Sequence, residues 1–152
     1  MGSAEGVRSN LFSRSSSSAS SVATSVEVTS APSAFEVANV LGPGFLEKVY
    51  ERALIRELGL RHMTAKRQVS FPVSYKGQYV GEYIADLVVE EQILVELKCV
   101  DRLGSEHLAQ CINYLRASGL PLALLINFQK PKLEWKRVLL NHPRPCDTVP
   151  SP

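Results

Sequence analysis

The chain has 152 residues, enough for one domain with its own core. Apolar residues make up 45% and charged residues 21%, a globular composition that excludes wholly disordered or membrane-embedded chains, and no apolar run approaches a membrane span. A formal net charge of +2 is too small to identify a nucleic-acid partner by itself, although Lys130, Lys132, Lys136 and Arg137 cluster late in the chain and Arg61, Lys66 and Arg67 in the middle.

In chain order, residues 1–32 read as a disordered Ser-rich tail, because the run Ser13-Arg14-Ser15-Ser16-Ser17-Ser18 cannot bury enough apolar surface to offset its ordering entropy. Arg8 and Arg14 give it a trace of organellar transit-peptide character, which Glu5 and Glu27 oppose, so a plain leader is expected. One domain is expected over 33–141. Its first element is a short helix from Ser33, as N-cap, to Leu41, stopped by Gly42-Pro43. From Phe45 to Leu58, Leu46, Val49, Ala53, Leu54 and Leu58 recur at helical spacing, and Gly59 ends the run. Gln68–Tyr75 alternates as a strand, with Val69, Phe71 and Val73 on one side. Lys76-Gly77-Gln78 turns it into a second strand, Tyr79–Val89, and Ile93–Val100 is a third. Ser105–Ser118 is a helix closed by Gly119 and Pro121. Leu122–Phe128 reads as a buried strand and Leu133–Leu139 as an edge strand. The Pro-rich stretch 142–152 is expected to be a flexible tail. Cys99, Cys111 and Cys146 are odd in number and lack metal-type spacing, so free thiols and a reducing, cytoplasmic location are expected.

The chemistry-bearing residues sit on the second and third strands. Side chains alternate along a strand, so Glu96 and Lys98 share a face, away from Val95 and Leu97. Pairing Val89 with Ile93 across Glu90-Glu91-Gln92 sets Val88 against Leu94 and Asp86 against Glu96. Opposed carboxylates in apolar strands repel, and a hard divalent cation converts that cost into a gain. An isolated Glu96–Lys98 pair would more often be a surface cross-strand pair. The apolar flanks and the opposed Asp86 favour a metal site instead.

Asp86 with Glu96-Leu97-Lys98 resembles the signature of the PD-(D/E)XK nuclease superfamily. Gly44-Phe45-Leu46-Glu47-Lys48-Val49-Tyr50 matches the pattern that names its GxxExxY family, and Gln110-Cys111-Ile112-Asn113-Tyr114 is similar to the Gln-x-x-x-Tyr motif of RecB-type nucleases. The likeness runs from about Ala34 to Leu140 and includes Leu41-Gly42-Pro43-Gly44 and Leu125-Ile126-Asn127-Phe128.

The resemblance implies an α/β sandwich of the restriction-endonuclease type, with a mixed central sheet flanked by helices. It implies Mg²⁺, with Mn²⁺ as a substitute, held by Asp86, Glu96 and the Leu97 carbonyl. Lys98 would orient or deprotonate the attacking water, Glu47 would approach the metal from its helix, and Gln110 would hold the metal site or the phosphate backbone. Tyr50 and Tyr114 would contact substrate. His107 shares the face of Gln110 but reads as a surface or capping residue. The implied function is hydrolysis of phosphodiester bonds in nucleic acid, with DNA as the expected substrate and a homodimer as the superfamily's habit. Where family members often carry His and an acid before Leu-Gly-Pro-Gly, this chain has Ala38-Asn39-Val40. That departure keeps open a second reading, a catalytically weak or inactive nucleic-acid-binding or regulatory module, and a third, a protein-interaction module.

Overall fold

Tyr50, Leu54 and Leu58 lie along one inward stripe of a helix, and the strands that receive them are apolar on both faces, as a sheet covered by helices on each side must be. The computed structural model describes residues 12–140, with side-chain surroundings from residue 24 on. Its elements are α1 (Phe12–Leu41), α2 (Glu47–Leu60), β1 (Ala65–Tyr75), β2 (Gln78–Val89), β3 (Ile93–Lys98), α3 (Ser105–Ser118), β4 (Leu122–Asn127) and β5 (Glu134–Leu139). The strands form one five-stranded sheet in the order β1-β2-β3-β4-β5. Neighbours are antiparallel except β3 and β4, whose parallel pairing requires the crossover that α3 supplies. The mixed α/β sandwich expected from the sequence is therefore the fold observed.

Two cores lie on opposite faces of the sheet. Tyr50, Leu54 and Leu58 of α2, with Val26, Ala34 and Val37 of α1, pack on Leu87, Ile93, Val95, Leu97, Leu124 and Ile126. Cys111, Tyr114 and Leu115 of α3 pack on Ala85, Leu94, Ala123, Leu125 and Val138. No helix among the described residues is long and apolar enough to cross a membrane.

The first helix corrects the expected boundary at residue 32. Residues 24–32 belong to α1 and pack on the domain: Val26 is buried in the core, and Glu27 pairs with Arg137 of β5 at 3.0 Å. The serines do not end the helix, because they return their hydroxyls to its own carbonyls. Ser30 donates to Val26 and Ser33 to Thr29, each at 2.8 Å. Ser33, expected as an N-cap, is thus a fully buried mid-helix residue. The expected tails over 1–11 and 142–152 lie outside the described residues, as does Cys146. Cys99 and Cys111 are free thiols.

One irregularity positions the site. Leu87 and Val89 of β2 face the α1/α2 core, yet Ala85 and Tyr83, of the same parity, face the α3 core. The β1–β2 ribbon therefore exchanges its faces at Asp86. Opposite it on β1, between the pairs Arg67↔Leu87 and Val69↔Ala85, Gln68 has φ +48°. A left-handed residue in a strand breaks the alternation of side chains, which a sequence reading based on strict period two does not anticipate.

Candidate functional site

The β2–β3 ladder runs Val89↔Ile93, Val88↔Leu94, Leu87↔Val95 and then stops. This is the register expected from the sequence, and its next step sets Asp86 opposite Glu96. There the strands part, and side chains take over the backbone bonds. Leu97 N–H donates to Asp86 Oδ2 at 2.8 Å, and Asp86 N–H donates to Glu96 Oε1 at 3.2 Å. The two acids are interlocked across the gap, each held by the other's strand. Lys98 Nζ stands 3.9 Å from the second Glu96 oxygen, Oε2. The Lys98 carbonyl is taken on the β4 side by the Phe128 N–H at 2.9 Å. Carbonyls alternate along a strand, so that of Leu97 is directed to the gap with its N–H.

Burial dominates the electrostatics. Glu96 is 2% exposed. Desolvation, followed by the charge of Asp86, pushes its carboxyl up to about 8, against the Asp86 N–H bond and Lys98, which pull it down. Burial also raises Asp86, opposed by its Leu97 hydrogen bond and by Lys98. Burial raises both acids, and the charge of Asp86 raises Glu96 further, more than the nearby Lys98 offsets.

Helix α2 reaches the gap from the other side. Glu47, at its exposed first turn, contributes to the rise of Glu96 after burial and Asp86. Glu51, one turn further, is buried at 3% exposure and adds to the rise of Asp86 after burial. Its carboxylate gathers Lys48 Nζ at 3.3 Å, Arg67 Nε at 3.0 Å and Gln68 Nε2 at 3.0 Å. Arg67 and Gln68 would point to opposite faces of a regular strand. The left-handed φ of Gln68 lets both reach one acid.

On the α3 side, Gln110 does not meet the acids directly. Its Nε2 bonds the Tyr114 hydroxyl at 3.2 Å, and that hydroxyl donates to the Ile84 carbonyl at 2.9 Å, two residues before Asp86. Burial, and then the charge of Glu96, push the Tyr114 phenol up to about 12. Tyr114, expected to touch substrate, is thus buried and committed to the backbone. Tyr50 is also placed away from that expectation. It is 1% exposed, stacked on Phe128 with ring centroids 4.5 Å apart, and its hydroxyl joins the Gly42 carbonyl at 2.6 Å to the Phe45 N–H at 3.2 Å. It holds the turn that launches α2. His107 accepts the Gly104 N–H at 2.9 Å and caps α3, as its reading outside the site requires.

A sequence profile of the PD-(D/E)XK nuclease superfamily matches residues 25–138. The chain belongs to this superfamily. No curated protein matches the chain. Among solved structures, SSO0001 superposes with a TM-score of 0.49 at 16% identity over 60% of this chain and 48% of its own, so the chain spans about half the length of that protein. An alkaline exonuclease (LHK-Exo) from Laribacter hongkongensis superposes with a TM-score of 0.43 at 12% identity, over 71% of this chain and 76% of its own.

PD-(D/E)XK nucleases generally depend on a divalent metal, and the residues in the gap fit one. Among the described residues no cluster of three His, Cys, Asp or Glu side chains suits a metal by itself. The donor set is instead two acids plus a strand carbonyl, hard oxygens that suit an ion retaining several waters. Burial of Glu96 beside Asp86, the two causes that raise its carboxyl, is a cost that a cation at this place would offset.

Glu51, Arg67 and Gln68 were not legible as site residues, although Glu51 carried a signal. Leu54 and Leu58 follow it at i+3 and i+7, so helical spacing puts a carboxylate on the buried stripe. Asn127 was legible only as part of a motif. Fully buried, it accepts from Val100 N–H at 3.1 Å and Gln129 N–H at 3.2 Å, and donates to the Val100 carbonyl at 2.7 Å and Glu134 at 3.1 Å. It ties down the loop that follows Lys98.

Proposed function

We propose that the chain is a Mg²⁺-dependent nuclease, with Mn²⁺ as a substitute, that hydrolyses phosphodiester bonds in DNA and belongs to the GxxExxY family. The observation that carries this reading is the interlocked pair Asp86 and Glu96, set with Lys98 in the gap where β2 leaves β3. Asp86, Glu96 and the Leu97 carbonyl would hold the metal, which would supply Lewis acidity and activate the attacking water. Lys98 orients that water and balances charge on the phosphate, a role suited to a compact ammonium. Glu47 approaches from α2, and Gln110 acts through Tyr114 to fix the strand that carries Asp86. Free Cys99 and Cys111 support a reducing, cytoplasmic setting, and a homodimer would serve cleavage of both strands.

The test is incubation of purified protein with plasmid and single-stranded DNA in Mg²⁺, Mn²⁺ or EDTA, beside Asp86→Ala. Cleavage is expected with metal only and is lost in the variant. Wild-type protein that binds DNA without cutting it would favour the binding module, and protein that does neither would favour the interaction module.

A further inference from the structure

Glu51 is a buried acid with more cation than it needs. Two positive side chains meet its single negative charge, so the cluster carries one net positive charge. Both cations keep an open outer side: Lys48 is 56% and Arg67 47% exposed, against 3% for Glu51. Arg67 is held through Nε, and its contact with Oε1 is an ion pair without hydrogen-bond alignment. The terminal guanidinium nitrogens have no other partner among the described residues. The cluster also adjoins the acid pair. Lys48 and Glu51 both act electrostatically on Asp86, after its burial and its Leu97 bond, and Gln68 lies opposite Asp86 in the ribbon.

A left-handed residue in a strand is a cost that the surrounding contacts must offset, and such strain gathers at functional sites. Here it brings Arg67 and Gln68 onto one carboxylate. A surface salt bridge between mobile side chains has no use for that arrangement. Fixing a guanidinium and an ammonium side by side, with their outer donors in water, makes a receptor for a tetrahedral oxyanion. A phosphodiester carries one negative charge, equal and opposite to the net charge of the cluster.

We propose that Lys48 and Arg67, anchored by the buried Glu51, grip a backbone phosphate of the bound strand that neighbours the phosphate reacting at Asp86 and Glu96. This inference rests on the nuclease reading. Holding a second phosphate fixes the strand's direction and brings the reacting one into line, which is the use of binding energy away from the bond that breaks. Glu51 is a positioning residue, and it touches the strand only through the two cations.

The experiment measures binding of a labelled single-stranded oligodeoxynucleotide in EDTA, where no cleavage occurs, across a range of salt concentrations. Each phosphate contact contributes about 0.7 to the slope of log affinity against log salt for single strands. Lys48→Gln and Arg67→Gln should each lower the slope by about that amount. Lys76→Gln, at the tip of the β1–β2 hairpin where the ammonium lies 5.3 Å from the Tyr75 ring centroid, should leave it unchanged. Should a single variant fail to fold because Glu51 is stranded, Lys48→Gln/Glu51→Gln/Arg67→Gln removes the cluster's one net positive charge without stranding the acid, and the same fall of about 0.7 is expected. Unchanged slopes in these variants, or an equal fall in Lys76→Gln, overturn the inference while leaving metal-dependent cleavage by the wild type intact. Wild type that neither binds nor cuts overturns both readings together. Binding with the expected slopes but no cleavage upholds the grip and removes the nuclease.

Discussion

Gln68 lies opposite Asp86 across the β1–β2 ribbon, and both stand where the ribbon exchanges its faces. That relationship sets the candidate site in the plane of the sheet rather than on either side of it. Charged residues of α2 act on the two carboxyls from one face, and on the other face the two carboxyls, after burial, raise the pKa of Tyr114 of α3, whose hydroxyl holds the Ile84 carbonyl.

The interlock makes metal-free stability depend on pH in an unusual sense. A carboxyl whose pKa is higher folded than unfolded takes up a proton on folding, so its contribution is fully present at low pH and is lost as pH rises. For Glu96 the window opens near 4.5 and closes near 8, and Asp86 acts in the same direction. Each pH unit inside it costs up to about 1.4 kcal/mol. Glu96→Gln removes the titration. In EDTA, the melting temperature of the variant relative to wild type should therefore rise steadily from pH 5 to pH 8.5. A constant difference over that range rules out a buried titrating Glu96.

Divalent metal should reverse this loss. Binding to the folded state alone stabilises by about 2.7 kcal/mol at a hundred times the dissociation constant. Mg²⁺ or Mn²⁺ should accordingly raise the melting temperature of the wild type, more at pH 8 than at pH 6, because proton and metal compete for Glu96. Asp86→Ala should abolish the rise. Calorimetry that detects no metal binding by the wild type at pH 8 would sink the metal centre.

Gln68→Ala keeps the unfavourable φ and deletes a donor to a buried carboxylate. Leaving a buried acceptor short of a partner costs on the order of 1–3 kcal/mol, and chemical denaturation should show a loss of that size. Gln68→Gly removes the same donor but also relieves the backbone strain, so it should be the less destabilised of the two. If Gly proves the worse, the strain argument at residue 68 is wrong.

Most of the architecture was readable from periodicity and punctuation. The stripe of α2, the helix α3 with Gly119 at its end, and the Val89↔Ile93 register all follow from local patterns. The length of α1 did not, because isolated Ser-rich sequence has no propensity signal. From residue 24 on, its order comes from packing of Val26, Ala34 and Val37, while Ser30 and Ser33 satisfy their buried hydroxyls on the helix's own carbonyls. At the site, Asp86, Glu96 and Lys98 were legible as a triplet, because their register depends only on neighbouring strands. The Glu51 cluster was hidden for the opposite reason. Its partners come from α2 and β1, and a single left-handed residue joins them.

Lys98 offers the cleanest separation of catalysis from binding. Its ammonium lowers the pKa of both Asp86 and Glu96, though in each case less than burial raises it. Lys98→Ala therefore has two consequences that can be read apart. Both carboxyls should rise further, so half-maximal metal binding moves to higher pH. That deficit disappears at saturating metal and alkaline pH. What remains is the loss of the group that orients water and balances charge on the phosphate, on the order of a hundredfold or more in cleavage rate. Affinity for DNA in EDTA should change little, because binding is spread over many phosphate contacts. The decisive comparison is single-turnover cleavage by wild type and Lys98→Ala at saturating Mg²⁺ across pH 7 to 9. A rate fully restored at high pH would make Lys98 only an electrostatic partner of the metal ligands, and its direct role in the reaction would be lost.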